Sequence, residues 1–135
     1  MDWDTVIFTL CMTAVGGFVA LQIWMRRKAT ALQGTPAPQL QGALGAAVRG
    51  DALLFFHSPG CAPCRAMHPQ VLEMAVDDAR VHSVDVMQNM EAAQAFGLMG
   101  TPTVVAVRAG QVQQVKVGAL SNAALREMLE GLGPA

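Results

Sequence analysis

The chain has 135 residues, 53% of them hydrophobic and 14% charged, with a formal net charge of −1. That balance supplies no basic patch, so no nucleic-acid partner is expected. Three cysteines are too few for the dense stapling of a small secreted domain, which points a cysteine pair toward chemistry rather than scaffolding.

Thr5 to Met25 (TVIFTLCMTAVGGFVALQIWM) carries no formal charge. At about 1.5 Å per residue, a helix of that length crosses a hydrocarbon core of about 30 Å. A secretory signal would open with positive charge and close on small residues. Here the start is acidic (Asp2, Asp4) and Arg26, Arg27 and Lys28 follow the run. Ala29-Thr30-Ala31 has the small-x-small form of a cleavage site, but it lies directly behind those three cations. A permanent single-pass anchor in the lipid bilayer is therefore expected, with Trp3 and Trp24 near the two interfaces. Basic flanks tend to stay in the cytoplasm, which puts the following domain there; the periplasmic or extracellular face is the alternative. Gly16 and Ala20 are taken as ordinary small residues and Cys11 as an apolar filler. Gly34, Pro36 and Pro38 then break any periodicity and mark a linker. Fully stretched, about a dozen residues would reach roughly 40 Å. The expected organisation is a tail (1–4), a span (5–25), a basic flank with linker (26–40) and one folded domain (41–135).

Within the domain, Gln41–Val48 is expected to form a short helix weakened by Gly42 and Gly45. Ala52–Phe56 is a continuous apolar run, the pattern of a strand covered on both faces. Ser58-Pro59-Gly60 breaks it, and a helix is predicted from about Cys61, with Met67, Val71, Met74 and Ala75 at helical spacing. Val81–Val86 follows as a strand. Asn89–Phe96 is read as a short helix, with Asn89 as N-cap and Gly97 as its left-handed stop. Thr103–Arg108 and Gln111–Val117 are β-rich runs meeting at Ala109-Gly110, a hairpin signal. Ser121 is the expected N-cap of the last helix, with Leu120 and Leu125 placed for a hydrophobic staple and Gly131 or Gly133 ending it. Strands separated by helices imply parallel pairing and the final hairpin antiparallel pairing. The fold class is α/β: a mixed sheet flanked by helices on both faces, preceded by one transmembrane helix.

Phe56-His57-Ser58-Pro59-Gly60-Cys61-Ala62-Pro63-Cys64-Arg65 places a C-x-x-C pair where a strand turns into a helix. A thiol at a helix N-terminus faces unpaired backbone N–H groups and the positive end of the helix dipole, which favour its thiolate. Cys61 is thus the natural nucleophile, and Cys64, one turn further in, the shielded resolving thiol. In the reducing direction Cys61 attacks a substrate disulfide, and Cys64 then displaces the product and closes the Cys61–Cys64 bond. Pro63 costs little so early in a helix, because its missing N–H has no intrahelical partner there. His57 and Ala62 are expected to support the site.

These residues, together with Pro69, Val84-Asp85, Gly100-Thr101-Pro102-Thr103, Gly110 and Lys116-Val117-Gly118-Ala119-Leu120-Ser121 in that order, resemble the thioredoxin family from Phe55 to Leu129. The resemblance implies that Pro102 is cis and lies against the cysteines. It implies also that the Thr101 backbone pairs with an extended substrate segment and that Gly118 flanks the same groove. It implies protein disulfide or dithiol substrates, a redox donor such as a reductase, and no cofactor beyond the Cys61–Cys64 disulfide. The family's W-C-G-P-C is here Gly60-Cys61-Ala62-Pro63-Cys64. Its buried aspartate falls by register at Phe55 and the associated lysine at Val81, and its first strand is absent or reduced to the linker. Without that pair, loss of the Cys64 proton falls to water or to His57.

Two other readings remain at this point. Cys61, Cys64 and His68 lie near one helical face and offer three ligands for zinc or copper, although a closed structural site needs a fourth. Alternatively, the groove beside Pro102 holds a partner without redox turnover.

Overall fold

The computed structural model describes residues 2–30 and 33–134, without the side chains of Ala29 and Thr30. It divides into two compact units, Met1–Ala31 and Leu32–Ala135. Ala31 and Leu32 of the expected linker, and so the end of Ala29-Thr30-Ala31, lie outside the described residues.

The first unit is one helix, α1 (Trp3–Thr30). Its stretch Trp3–Lys28 has mean hydropathy 2.1 and none of the most apolar window is buried. The hydroxyls of Thr9 and Thr13 donate to the carbonyls of Thr5 and Thr9 at 2.7 and 3.0 Å. The helix thereby satisfies these polar groups internally, as an apolar environment demands. The basic flank Arg26–Lys28 is itself helical, since α1 runs on to Thr30. Arg and Lys are good helix formers, and cations suit a helix C-terminus. Lys28 Nζ also rests over the Trp24 ring, 4.7 Å from its centroid.

The second unit contains α2 (Gly42–Val48), β1 (Ala52–His57), α3 (Ala62–Asp77), β2 (Val81–Asp85), α4 (Met90–Ala95), β3 (Thr103–Arg108), β4 (Gln111–Val117) and α5 (Asn122–Glu130). The sheet has the order β2-β1-β3-β4. β1 and β2 are parallel, whereas β3 is antiparallel to both β1 and β4. The β1–β3 pair departs from the rule that helix-separated strands run parallel, because the segment through α4 and the Gly100–Pro102 turn returns the chain in the opposite sense.

Strand alternation divides the core in two. Leu54, Phe56, Val84, Val105 and Val107 pack on one face with Val48 of α2 and with Ala92 and Phe96 at α4. Leu53, Phe55, Val81, Val104 and Ala106 pack on the other with Cys64, Met67, Val71 and Met74 of α3 and Leu125 and Met128 of α5. Helices thus cover both faces, as expected.

The local signals mostly hold. Ser121 Oγ accepts the Ala124 amide at 3.2 Å, capping α5, and Leu120 packs against the cluster that contains Leu125. Gly97 sits at φ 62°, and Ala109 and Gly110 turn the hairpin at φ 51° and 76°. Asn89 does not cap α4 with its side chain; its Nδ2 donates instead to the Asp85 carbonyl at 3.0 Å.

The linker is also not free chain. Gly34 N–H donates to Val112 O (2.7 Å), Val112 N–H to Thr35 O (2.9 Å) and Ala37 N–H to Gly110 O (2.8 Å), with Pro36 bridged to Gln111. β4 is an edge strand with unpaired backbone groups, and a short Pro-containing segment is suited to cover it.

Candidate active site

β1 ends at His57, and Ser58-Pro59-Gly60 turns the chain into α3. Gly60 stands at φ +112°, a conformation that favours glycine over any residue with a Cβ. Cys61 is the N-cap of α3: its backbone is extended and its Sγ accepts the Cys64 amide at 3.2 Å. Ala62 and Pro63 occupy the first turn, where proline is tolerated. Cys61 and Cys64 are joined in a disulfide. Cys61 is partly exposed, whereas Cys64 is 3% exposed and belongs to the core. One sulfur is therefore reachable and one is shielded.

The Thr101–Pro102 peptide is cis. The hydroxyls of Ser58 and Thr101 are 2.9 Å apart, which joins this turn to the loop before Cys61. The Gly118 N–H donates to Pro102 O at 2.9 Å, so the segment after β4 joins the same assembly. Gly118 sits at φ +101° with open space where a Cβ would project. Thr103, the buried polar residue at the start of β3, is satisfied by donating to Gly100 O at 2.6 Å.

As the last residue of β1, His57 is paired in register with Asp85. Its ring lies 5.5 Å from Phe55 and 4.9 Å from His68 between centroids. His68 Nε2 lies 3.1 Å from Ser83 Oγ. A cavity of about 260 Å³ behind Cys64 is lined by His57, Ser58, Pro59, Cys64, Arg65, His68 and Asp85. Burial and the neighbouring His68 hold the His57 pKa below the usual histidine value, against an opposing pull from Asp85. Phe55, where the resemblance would put a carboxylate, is 1% exposed in the apolar cluster, with Val81 at 5% beside it.

Among the described residues, no three His, Cys, Asp or Glu side chains are placed to hold a metal ion together. Cys61 and Cys64, two of the three ligands in the metal reading, are bonded to each other here. Sequence reasoning missed His68 as the partner of His57, and missed Asp85. The position of His68 four residues after Cys64 was visible, but the β1–β2 register that brings Ser83 and Asp85 to it was not.

A disulfide of one exposed and one shielded sulfur at a helix start, tied to a cis-proline turn on a mixed sheet, defines a thiol–disulfide oxidoreductase. Comparison with known proteins is consistent with that class. The thioredoxin family model matches residues 44–131. A thioredoxin of Bacillus subtilis is 31% identical over 83 residues, covering 59% of this chain and 80% of that protein. One of Rhodospirillum rubrum is 32% identical over 84 residues, covering 60% and 81%. Among solved structures, a mutant thioredoxin of Halobacterium salinarum superimposes with a TM-score of 0.60 at 27% identity, covering 76% of this chain and 98% of that one. Fasciola hepatica thioredoxin gives 0.56 at 29% identity, covering 65% and 86%. The chain belongs to the thioredoxin family.

Proposed function

We propose that the protein is a membrane-tethered reductase of protein disulfides, working through Cys61 as nucleophile and Cys64 as resolving thiol. The observation that carries this reading is the contrast between the two sulfurs at the start of α3, one partly exposed and the other 3% exposed. In the reduced protein the Cys61 thiolate, favoured by the N-terminal amides and dipole of α3, attacks a substrate sulfur and forms a mixed disulfide. Cys64 then attacks Cys61 Sγ, releasing the substrate as a dithiol and leaving the Cys61–Cys64 disulfide for a reductase to regenerate. The couple itself carries the electrons, with no further cofactor.

An extended substrate strand lies along the Thr101–Pro102 turn and pairs with the Thr101 backbone. Gly118 keeps the adjoining wall free of side-chain atoms. Anchoring rests on the length and apolarity of Trp3–Lys28 and on its internally satisfied threonines. The cations Arg26, Arg27 and Lys28 at its C-terminal end support a cytoplasmic position for the domain, where the thiols are held reduced.

The test is single-turnover exchange with a peptide disulfide. Cys61→Ser abolishes turnover, whereas Cys64→Ser stops at a mixed disulfide visible by intact mass. Turnover unchanged in both variants would end the dithiol reading.

A further inference from the structure

Cys64 must lose a proton before it can attack, yet it is 3% exposed and sits in an apolar cluster, where burial disfavours the thiolate. The sheet offers no carboxylate beneath it, since Phe55 fills that place. The cavity behind Cys64 brings three side chains that can accept a proton, namely His57, His68 and Asp85. Two are engaged: Asp85 Oδ1 accepts the Met87 amide at 2.8 Å, and His68 Nε2 is paired with Ser83 Oγ at 3.1 Å. The His57 ring makes no hydrogen bond among the described residues and is held by stacking with Phe55 and His68.

We propose that His57 takes the proton of the Cys64 thiol when that thiol resolves the mixed disulfide on Cys61, with His68, anchored by Ser83, as the positioning residue. The proposal rests on the dithiol exchange described above. The transfer runs across the cavity that both residues line, whose volume of about 260 Å³ has room for a bridging water. The proton passes from Cys64 Sγ to a ring nitrogen of His57. The Cys64 sulfur then bonds to Cys61 Sγ, and the bond from Cys61 to the substrate sulfur breaks with its electron pair on the substrate. That sulfur leaves as thiolate and is protonated by the His57 imidazolium. The substrate disulfide gains two electrons and the Cys61–Cys64 dithiol loses them.

Titratable groups share the cavity with His57 from the elements packed on it: Cys64, Arg65 and His68 from α3 and Asp85 from β2. Thr103 and Val104, the nearby residues of β3, carry none. Burial and His68 keep His57 neutral near pH 7, the form that can accept a proton.

The experiment follows mixed-disulfide lifetime by acid quench and mass, using the full reduced chain in detergent and a peptide disulfide between pH 5 and 8. In the wild type, resolution accelerates as pH rises through the His57 titration, below the ordinary histidine value. His57→Asn slows resolution at pH 7 by about a hundredfold and lets the mixed disulfide accumulate, while alkylation of Cys61 by iodoacetamide keeps its rate. Added imidazole restores part of the loss. His68→Asn removes the neighbour that depresses His57, so its resolution profile shifts to higher pH. A wild-type resolution rate that is flat from pH 5 to 7 overturns the proposal without any variant, as does an unaltered lifetime in His57→Asn. Failure of the parent reading looks different, because in that case Cys61→Ser still turns over.

Discussion

The histidines set the most direct residue-scale prediction. His57 and His82 both have pKa values lowered chiefly by burial, so each is bound more weakly by protons in the folded chain than in the unfolded one. The unfolded state therefore takes up protons first as pH falls through about 6.5, and stability declines from there downward. Urea midpoints measured at pH 7.5 and 5.5 should show this fall, and His82→Gln should reduce its size. His82 is the better probe of stability, because it lies on the sheet face opposite the cysteines, paired in register with Leu54. A midpoint that does not move with pH in the wild type would refute this account. Asp78 acts in the same sense but in a more acidic window. Its hydrogen bonds to Arg80 hold its carboxyl below the usual range, so its contribution persists from neutral pH down into acid and is lost only there.

Among the elements, the hairpin between β3 and β4 carries an avoidable cost. Ala109 adopts φ 51° while its amide donates to Asp51 Oδ1 at 2.8 Å. A left-handed conformation costs a residue with a Cβ about 1–2 kcal/mol, partly offset by the greater unfolded entropy of glycine. Ala109→Gly should therefore raise stability by about 0.5–1 kcal/mol, read as a higher denaturant midpoint with unchanged slope. Loss of stability would show that the turn is held differently. The same scale explains why α2 contains Gly45: a Cβ there would overlap the Leu40 backbone carbonyl. Glycine weakens a helix of this length, but here it lets the chain entering α2 pass close against it. The segment around Pro36 makes a related point. Its proline content marks it as a break from sequence, and only the edge of β4 shows what it is used for.

For the whole molecule, the proposal to test is attachment to the bilayer. A helix from Trp3 to Lys28 is about 39 Å long at 1.5 Å per residue, enough to cross a hydrocarbon core of about 30 Å. The full chain should remain in the membrane pellet after alkaline carbonate extraction, whereas a chain beginning at Gln33 should be released. Release of the full chain would count against a permanent anchor. A cysteine placed at Gln33 in a background lacking the native three should be shielded from an impermeant maleimide in intact cells. Rapid labelling would move the domain to the outer face.

Much of the molecule was legible from the sequence because its signals are local. An uncharged run is long enough to span or it is not, and Ser58-Pro59-Gly60 before Cys61 forces a strand to end and a helix to begin. The cysteine pair, the hairpin and the Ser121 cap followed from spacing and backbone preference alone. What needed the tertiary structure is set by register between segments distant in the chain. Parallel pairing of β1 with β2 brings His57, Ser83 and Asp85 to the side of α3 that carries Cys64 and His68. The antiparallel return of β3 brings Thr101 to Ser58, and the open edge of β4 captures residues 34–37. No window of sequence contains those distances, because each is decided by which hydrophobic face is buried against which neighbour.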